Sequence, residues 1–66
     1  MKARINGVER ELADGTTVAA VLTMLDAPAG GVAVAVDGEV VPRATWGTTA
    51  VPDGAVVEVL TAVQGG

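Results

Sequence analysis

The sequence predicts an α+β fold: a mixed sheet of four to five strands with one main helix packed on one face. Three observations carry this. Stretches of period two recur at Met1–Ile5, Val32–Val36 and Ala55–Val63, the spacing of strand side chains. One stretch has helical spacing, Val18, Val21, Leu22 and Leu25, the i, i+3, i+4, i+7 set. Paired turn residues, Asn6-Gly7, Asp37-Gly38 and Asp53-Gly54, punctuate the chain between them.

Taken in order, Met1, Ala3 and Ile5 alternate with Lys2 and Arg4, a half-buried first strand. Asn6-Gly7 tolerates positive φ at both positions and predicts a tight hairpin. Val8 to Leu12 returns. Arg10 shares a face with Val8 and Leu12, so it is expected near a sheet edge, with its stem packed and its head in water. Ala13-Asp14-Gly15 turns into the helix, with Thr17 as N-cap. No Glu or Gln stands three positions on, so there is no capping box. Pro28 and Gly30-Gly31 are expected to end the helix, about eight residues long. Asp26 near its C-terminus opposes the helix dipole.

Val32, Val34 and Val36 alternate with Ala33 and Ala35, apolar on both faces, which predicts a central strand. Glu39 to Arg43 is a short extended piece that Pro42 keeps out of the middle of a ladder. Ala44 to Gly47 is expected to form one helical turn or an irregular loop, with Trp46 covering a small core. Thr48 to Val51 is read as a short edge strand. Pro52-Asp53-Gly54 launches the last strand, with Val57, Val59 and Val63 on one face and Val56, Glu58, Leu60 and Ala62 on the other. The helix-containing crossover makes the first and last strands parallel neighbours. That order is a β-grasp arrangement. No repeat or linker divides residues 1–66, which read as a single domain with a flexible tail at 64–66.

Composition narrows the function. Eight acidic against four basic residues, a net charge of −4, argue against a nucleic-acid binder and suit a partner with a basic surface. There is no Cys, His or Tyr, which removes the commonest nucleophiles, general bases and soft metal ligands. The chain is therefore expected to be no enzyme and to bind no cofactor or metal. Lys2, Arg4, Glu9, Arg10 and Glu11 interrupt the first twelve residues, so no apolar signal core is expected there. Uncharged apolar runs of about ten residues fall short of a membrane span of about 20. A cytoplasmic protein without membrane or nucleic-acid partners is the expectation.

The chemistry left to such a chain lies at its end. After Val63, Gln64-Gly65-Gly66 can reach about 10 Å beyond the folded body. A carboxylate on glycines has no bulk beside it and can enter a narrow active site on another protein. Carboxylates are poor electrophiles, so reaction there requires activation, as in an acyl-adenylate made from ATP. Paired glycines alone do not establish this, since Gly30-Gly31 is an internal pair read as plain loop. Beside the tail, Leu60 on the outward face is a small apolar patch of the kind that marks docking surfaces, against the plainer reading of an isolated surface leucine. Asp53 and Glu58 are candidates for steering basic partners, although most surface charges are simply solvated.

At this point the chain resembles a known family. Asn6-Gly7, Gly15-x-Thr17-Val18 with Leu22, the run Val34-Ala35-Val36-Asp37-Gly38-Glu39-Val40-Val41-Pro42-Arg43 with Trp46, Asp53-Gly54 and Gly65-Gly66 are similar to the ThiS family. These are ubiquitin-like β-grasp sulfur carriers of thiazole formation in thiamine biosynthesis. The match spans nearly the whole chain, and Val-Pro-Arg-x-x-Trp is its most telling piece. The terminal glycines are shared by all such carriers.

The resemblance implies that a ThiF-like adenylyltransferase uses ATP and magnesium to activate the Gly66 carboxyl, with Gly65 beside it. A persulfide protein then supplies sulfur, and the Gly66 thiocarboxylate passes it to a ThiG-like thiazole synthase. Glu58, Leu60, Ala62 and Gln64 are the expected partner-binding residues, and Arg43 follows the family pattern. Alternatives from the same tail chemistry are a molybdopterin synthase small-subunit type or another metabolite sulfur carrier. A non-catalytic β-grasp interaction domain with an inert end is the alternative from a different class.

Overall fold

In the computed structural model, which describes residues 1–27 and 30–61, the strands are β1 (Lys2–Ile5), β2 (Val8–Glu11), β3 (Val32–Val36), β4 (Glu39–Val40) and β5 (Val56–Thr61). Between β2 and β3 lies the helix α1 (Val18–Met24), and a 3-10 turn spans Arg43–Thr45 after β4. The five strands form one sheet in the order β2-β1-β5-β3-β4. β1 and β5 are parallel, as expected of a helix-containing crossover, and the other pairs are antiparallel. This is a β-grasp fold.

Both hairpin turns form through left-handed backbone. Asn6 and Gly7 have φ of 50° and 81°, and Asp37 and Gly38 have 51° and 82°. Two consecutive positive φ values match the right-handed twist of the flanking strands, which is why Asn-Gly and Asp-Gly occupy them. The core lies between α1 and one face of the sheet. Ala3 and Ile5 from β1, Val34 from β3 and Val57 and Val59 from β5 meet Val18, Val21 and Leu22 of α1, closed by Leu12, Val51 and Ala55. Trp46 packs on the cluster's margin as expected, and its indole N–H donates to the Val41 carbonyl at 2.9 Å. Edge strand β2 is exposed throughout. Val8 and Arg10 share the core side with Leu12, but the short helix does not reach over them, and only Leu12 is buried.

Thr17 caps α1: its hydroxyl oxygen accepts from the Ala20 N–H at 3.2 Å. Such a cap stabilises by about 1 kcal/mol over alanine. The helix ends earlier than expected from Pro28 and Gly30-Gly31. The Asp26 N–H donates to the Thr23 carbonyl and the Ala27 N–H to the Leu22 carbonyl, each at 3.0 Å, which is a Schellman motif. Its left-handed position, normally glycine, is Asp26 with φ 55°. Asp26→Gly should therefore raise stability by about 0.5–1 kcal/mol, removing both the backbone strain and a charge of the wrong sign for the helix end. An unchanged or lower urea midpoint would count against that reading.

Two further expectations are corrected. Thr48–Val51 is not a strand. Its β pairing is an isolated bridge between Ala50 and Thr17, with Val18 N–H donating to the Thr49 carbonyl and Val51 N–H to the Thr16 carbonyl. Donors from the Thr48 backbone and the Thr48 and Thr49 hydroxyls converge on the Thr45 carbonyl and keep the stretch curled. Nor is β3 the middle of the sheet. It lies between β5 and β4, and Ala33 is exposed, because one helix covers one face only. The central strand is β5.

The start of the chain is also tied down. The Met1 amine donates to the Leu12 carbonyl at 3.0 Å and pairs with Glu11 at 3.3 Å and Asp14 at 3.7 Å. Hydrogen bonding to the Glu11 carboxylate raises the amine above its ordinary pKa of 8.0; desolvation opposes this, and the charges of Glu11, Asp14 and Asp53 add to it. A raised cationic group stabilises fully below its unfolded value and loses that contribution as pH rises through its folded value. Urea midpoints should therefore decline from about pH 8 upward, and an N-acetylated chain should lack that part of the decline.

A candidate docking face and chain end

β5 divides its side chains as period two requires. Val57 and Val59 are buried against α1, and Val56, Glu58 and Leu60 point to the open face of the sheet. Strand register then says what stands beside them, since directly paired residues share a face. Arg4 of β1 is paired with Val56; Ala33 of β3 with Leu60; Ala35 with Glu58 on one side and with Val40 of β4 on the other. The open face thus gathers Val56, Leu60, Ala33 and Val40 around the carboxylate of Glu58. Leu60 is 63% exposed and Val40 71%, values that leave most of each side chain in contact with solvent. Apolar side chains gathered around Glu58, with Arg4 at the β1 border, are more than a scattering of surface aliphatics.

Of the residues expected to meet a partner, Glu58 and Leu60 stand next to each other on this face. Ala62, Gln64, Gly65 and Gly66 lie outside the described residues, as does Val63. Val40 and Ala33 were not legible as members. Ala33 joins through the pairing of β3 with β5, strands distant in sequence, and the β3–β4 hairpin carries Val40 along with it. Asp53, a candidate for steering, has a structural task instead: its carboxylate accepts the Lys2 backbone N–H at 2.9 Å. It also stands just before β5, near the strand's first residue. Arg43 lies over the Trp46 ring, 5.8 Å from its centroid, within the range of a cation–π contact.

Leu60→Asp is the direct probe of the face. It should weaken capture of the chain by a protein that docks on this face about tenfold, through an unpaired charge in an apolar contact, and change stability by less than about 0.5 kcal/mol. Binding and urea titrations on the same sample check both.

Among the described residues there is no group of three or more His, Cys, Asp or Glu placed to hold a metal ion. No helix among them is long and apolar enough to cross a membrane.

The profile of the ThiS family matches residues 3–66. Among solved structures, the thiamine biosynthesis protein (ThiS) from Geobacter metallireducens is similar to this chain with a TM-score of 0.84 and 35% identity, covering 100% of both chains. No curated protein matches the chain. Family profile, sheet order and full-length superposition agree, and the chain belongs to the ThiS family.

Proposed function

We propose that this chain is a sulfur carrier of thiamine biosynthesis and that the carboxyl of Gly66 is its working group. The observation that carries the reading is the family match, which runs through the two terminal glycines to residue 66. The lack of Cys, His and Tyr supports it, because the chemistry then belongs to partner sites and the chain serves as co-substrate.

In the proposed sequence a Gly66 carboxylate oxygen attacks the α-phosphorus of ATP on a ThiF-like adenylyltransferase. Pyrophosphate leaves, and the magnesium held by that enzyme offsets the phosphate charge. The terminal sulfur of a persulfide protein then attacks the acyl carbon and AMP leaves. A thiol cleaves the resulting acyl disulfide, is oxidised to a disulfide, and frees the thiocarboxylate. A ThiG-like thiazole synthase accepts that sulfur. The chain's own contribution is presentation: β5 runs toward the chain end, and its Leu60–Glu58 face offers the partner apolar area and the Glu58 carboxylate. These steps belong to the cytoplasm.

Intact mass tests the reading. With a competent adenylyltransferase and ATP, the chain should gain the mass of an adenylate, and with a persulfide donor it should then exchange one oxygen for sulfur. An unchanged mass would overturn it. Rescue of a thiamine auxotroph, and not of a molybdenum-cofactor mutant, is the expected genetic outcome.

A further inference from the structure

Asn6 does more than make a turn. Its backbone N–H donates to the Val57 carbonyl at 2.9 Å, the last main-chain bond from β1 toward β5 before β1 turns away. Its side chain then reaches the next residue of β5 on that edge. The Val59 N–H donates to Asn6 Oδ1 at 2.8 Å, and Asn6 Nδ2 donates to the Val59 carbonyl at 3.2 Å. These two groups are 53 residues apart in the chain. An N–H can only donate and a carbonyl only accept, so the two bonds also settle which way the amide points.

A carboxamide is the side-chain copy of a peptide group. At Asn6 it replaces the strand residue that β1 would have supplied had it continued. The parallel ladder is lengthened by one step, about 6.6 Å of β5 at two residues per step. A second turn residue shows why the choice is Asn. Asp37 also meets β5 through its side chain, accepting the Val56 N–H at 2.9 Å. There the Asp37 backbone N–H already serves the Val56 carbonyl, at 2.8 Å, so an acceptor suffices. At Val59 both groups need partners, and an aspartate would face the carbonyl with a negative charge.

Val59 is also the last buried residue of β5. Beyond it, Thr61 is paired with Val32 on the β3 side. The Asn6 amide therefore determines how far along β5 both edges are held before the final residues begin. We infer that Asn6 is a positioning residue: its side-chain clamp on Val59 fixes the last stretch of β5 held on both edges, the strand that presents the chain end to the activating partner. The inference rests on the reading that Gly66 is the group acted upon.

Asn6→Gly separates the two roles, because glycine keeps the positive φ of the turn and removes the clamp. Thr17→Ala, remote from β5, serves as a control for general loss of stability. The measurements are amide hydrogen exchange on the full chain and ATP–pyrophosphate exchange with a ThiF-like adenylyltransferase as carrier concentration is varied. In Asn6→Gly the Val59 amide should exchange about tenfold faster relative to Val57. The KM for the carrier should rise severalfold, while Thr17→Ala stays within about twofold of wild type in KM. Asn6→Asp keeps an acceptor for the Val59 N–H but has no donor for its carbonyl, and should leave the KM raised.

An unchanged Val59 rate in Asn6→Gly overturns the clamp. Faster Val59 exchange with a KM matching Thr17→Ala overturns the positioning role, leaving a merely structural bond. Asn6→Asp behaving as wild type overturns the need for the donor. Absence of pyrophosphate exchange with the wild-type chain is a different failure, visible before any variant is compared, and it overturns the proposed function together with the positioning role.

Discussion

A single alanine added after Gly66 is expected to abolish activation of the chain, with a loss of roughly 10²-fold or more, and to leave folding untouched. The added residue moves the terminal carboxylate about 3.5 Å outward and converts the Gly66 carboxyl into an amide. An amide oxygen is not a usable nucleophile toward ATP, and the new carboxylate overshoots the reacting phosphorus by far more than a near-attack geometry tolerates. Ile5, Val57 and Leu22, which make the core, lie in elements the addition does not touch. The check is adenylate formation by mass, with urea denaturation of the same sample. Normal adenylation of the extended chain would sink the assignment of Gly66. A shifted midpoint would mean that the chain end takes part in folding.

The second large effect is expected at Ile5. It is 1% exposed and paired with Val57, which is 0% exposed, where the parallel strands β1 and β5 meet beneath α1. Ile5→Ala should cost about 2–5 kcal/mol, from the lost burial and the cavity together. A chain of this length has a total stability of about 3–10 kcal/mol, so the variant should be partly unfolded in water or nearly so. The cause is a core built largely from valine and alanine, in which little can move to refill the space. Leu60→Ala, on the same sheet but facing outward, should stay within about 0.5 kcal/mol of wild type. If the two variants cost the same, the division of β5 and its neighbours into a covered and an open face is wrong.

Much of this architecture could be read from the chain as written. The helix and its Thr17 cap, both two-residue hairpins, the parallel meeting of β1 with β5 and the inward and outward faces of β5 follow from local spacing and turn chemistry. What misled was composition read without neighbours. Alanines alternating with valines made β3 look covered on both sides, yet Ala33 is exposed because there is one helix to do the covering. Thr48 to Val51 has the residues of a strand, but hydrogen bonds to the Thr45 carbonyl bend it away from any edge. Asp26 was legible as a charge ill placed at a helix end and not as the residue that closes it.

The candidate site divides in the same way. The glycine tail and the pairing of Glu58 with Leu60 on one face are properties of consecutive residues, and so is the lack of the side chains that an enzyme of the common kinds would use. Period two and turn preference act over a few neighbouring residues, so one sequence suffices to state them. The place of β5 in the middle of the sheet, the arrival of Val40 and Ala33 beside Leu60, and the second task of Asn6 required the folded molecule. Each depends on which backbone edges meet β5 from far along the chain, 53 residues away for Asn6, and a hydrogen bond or an apolar contact is specified by that meeting and not by its own local sequence.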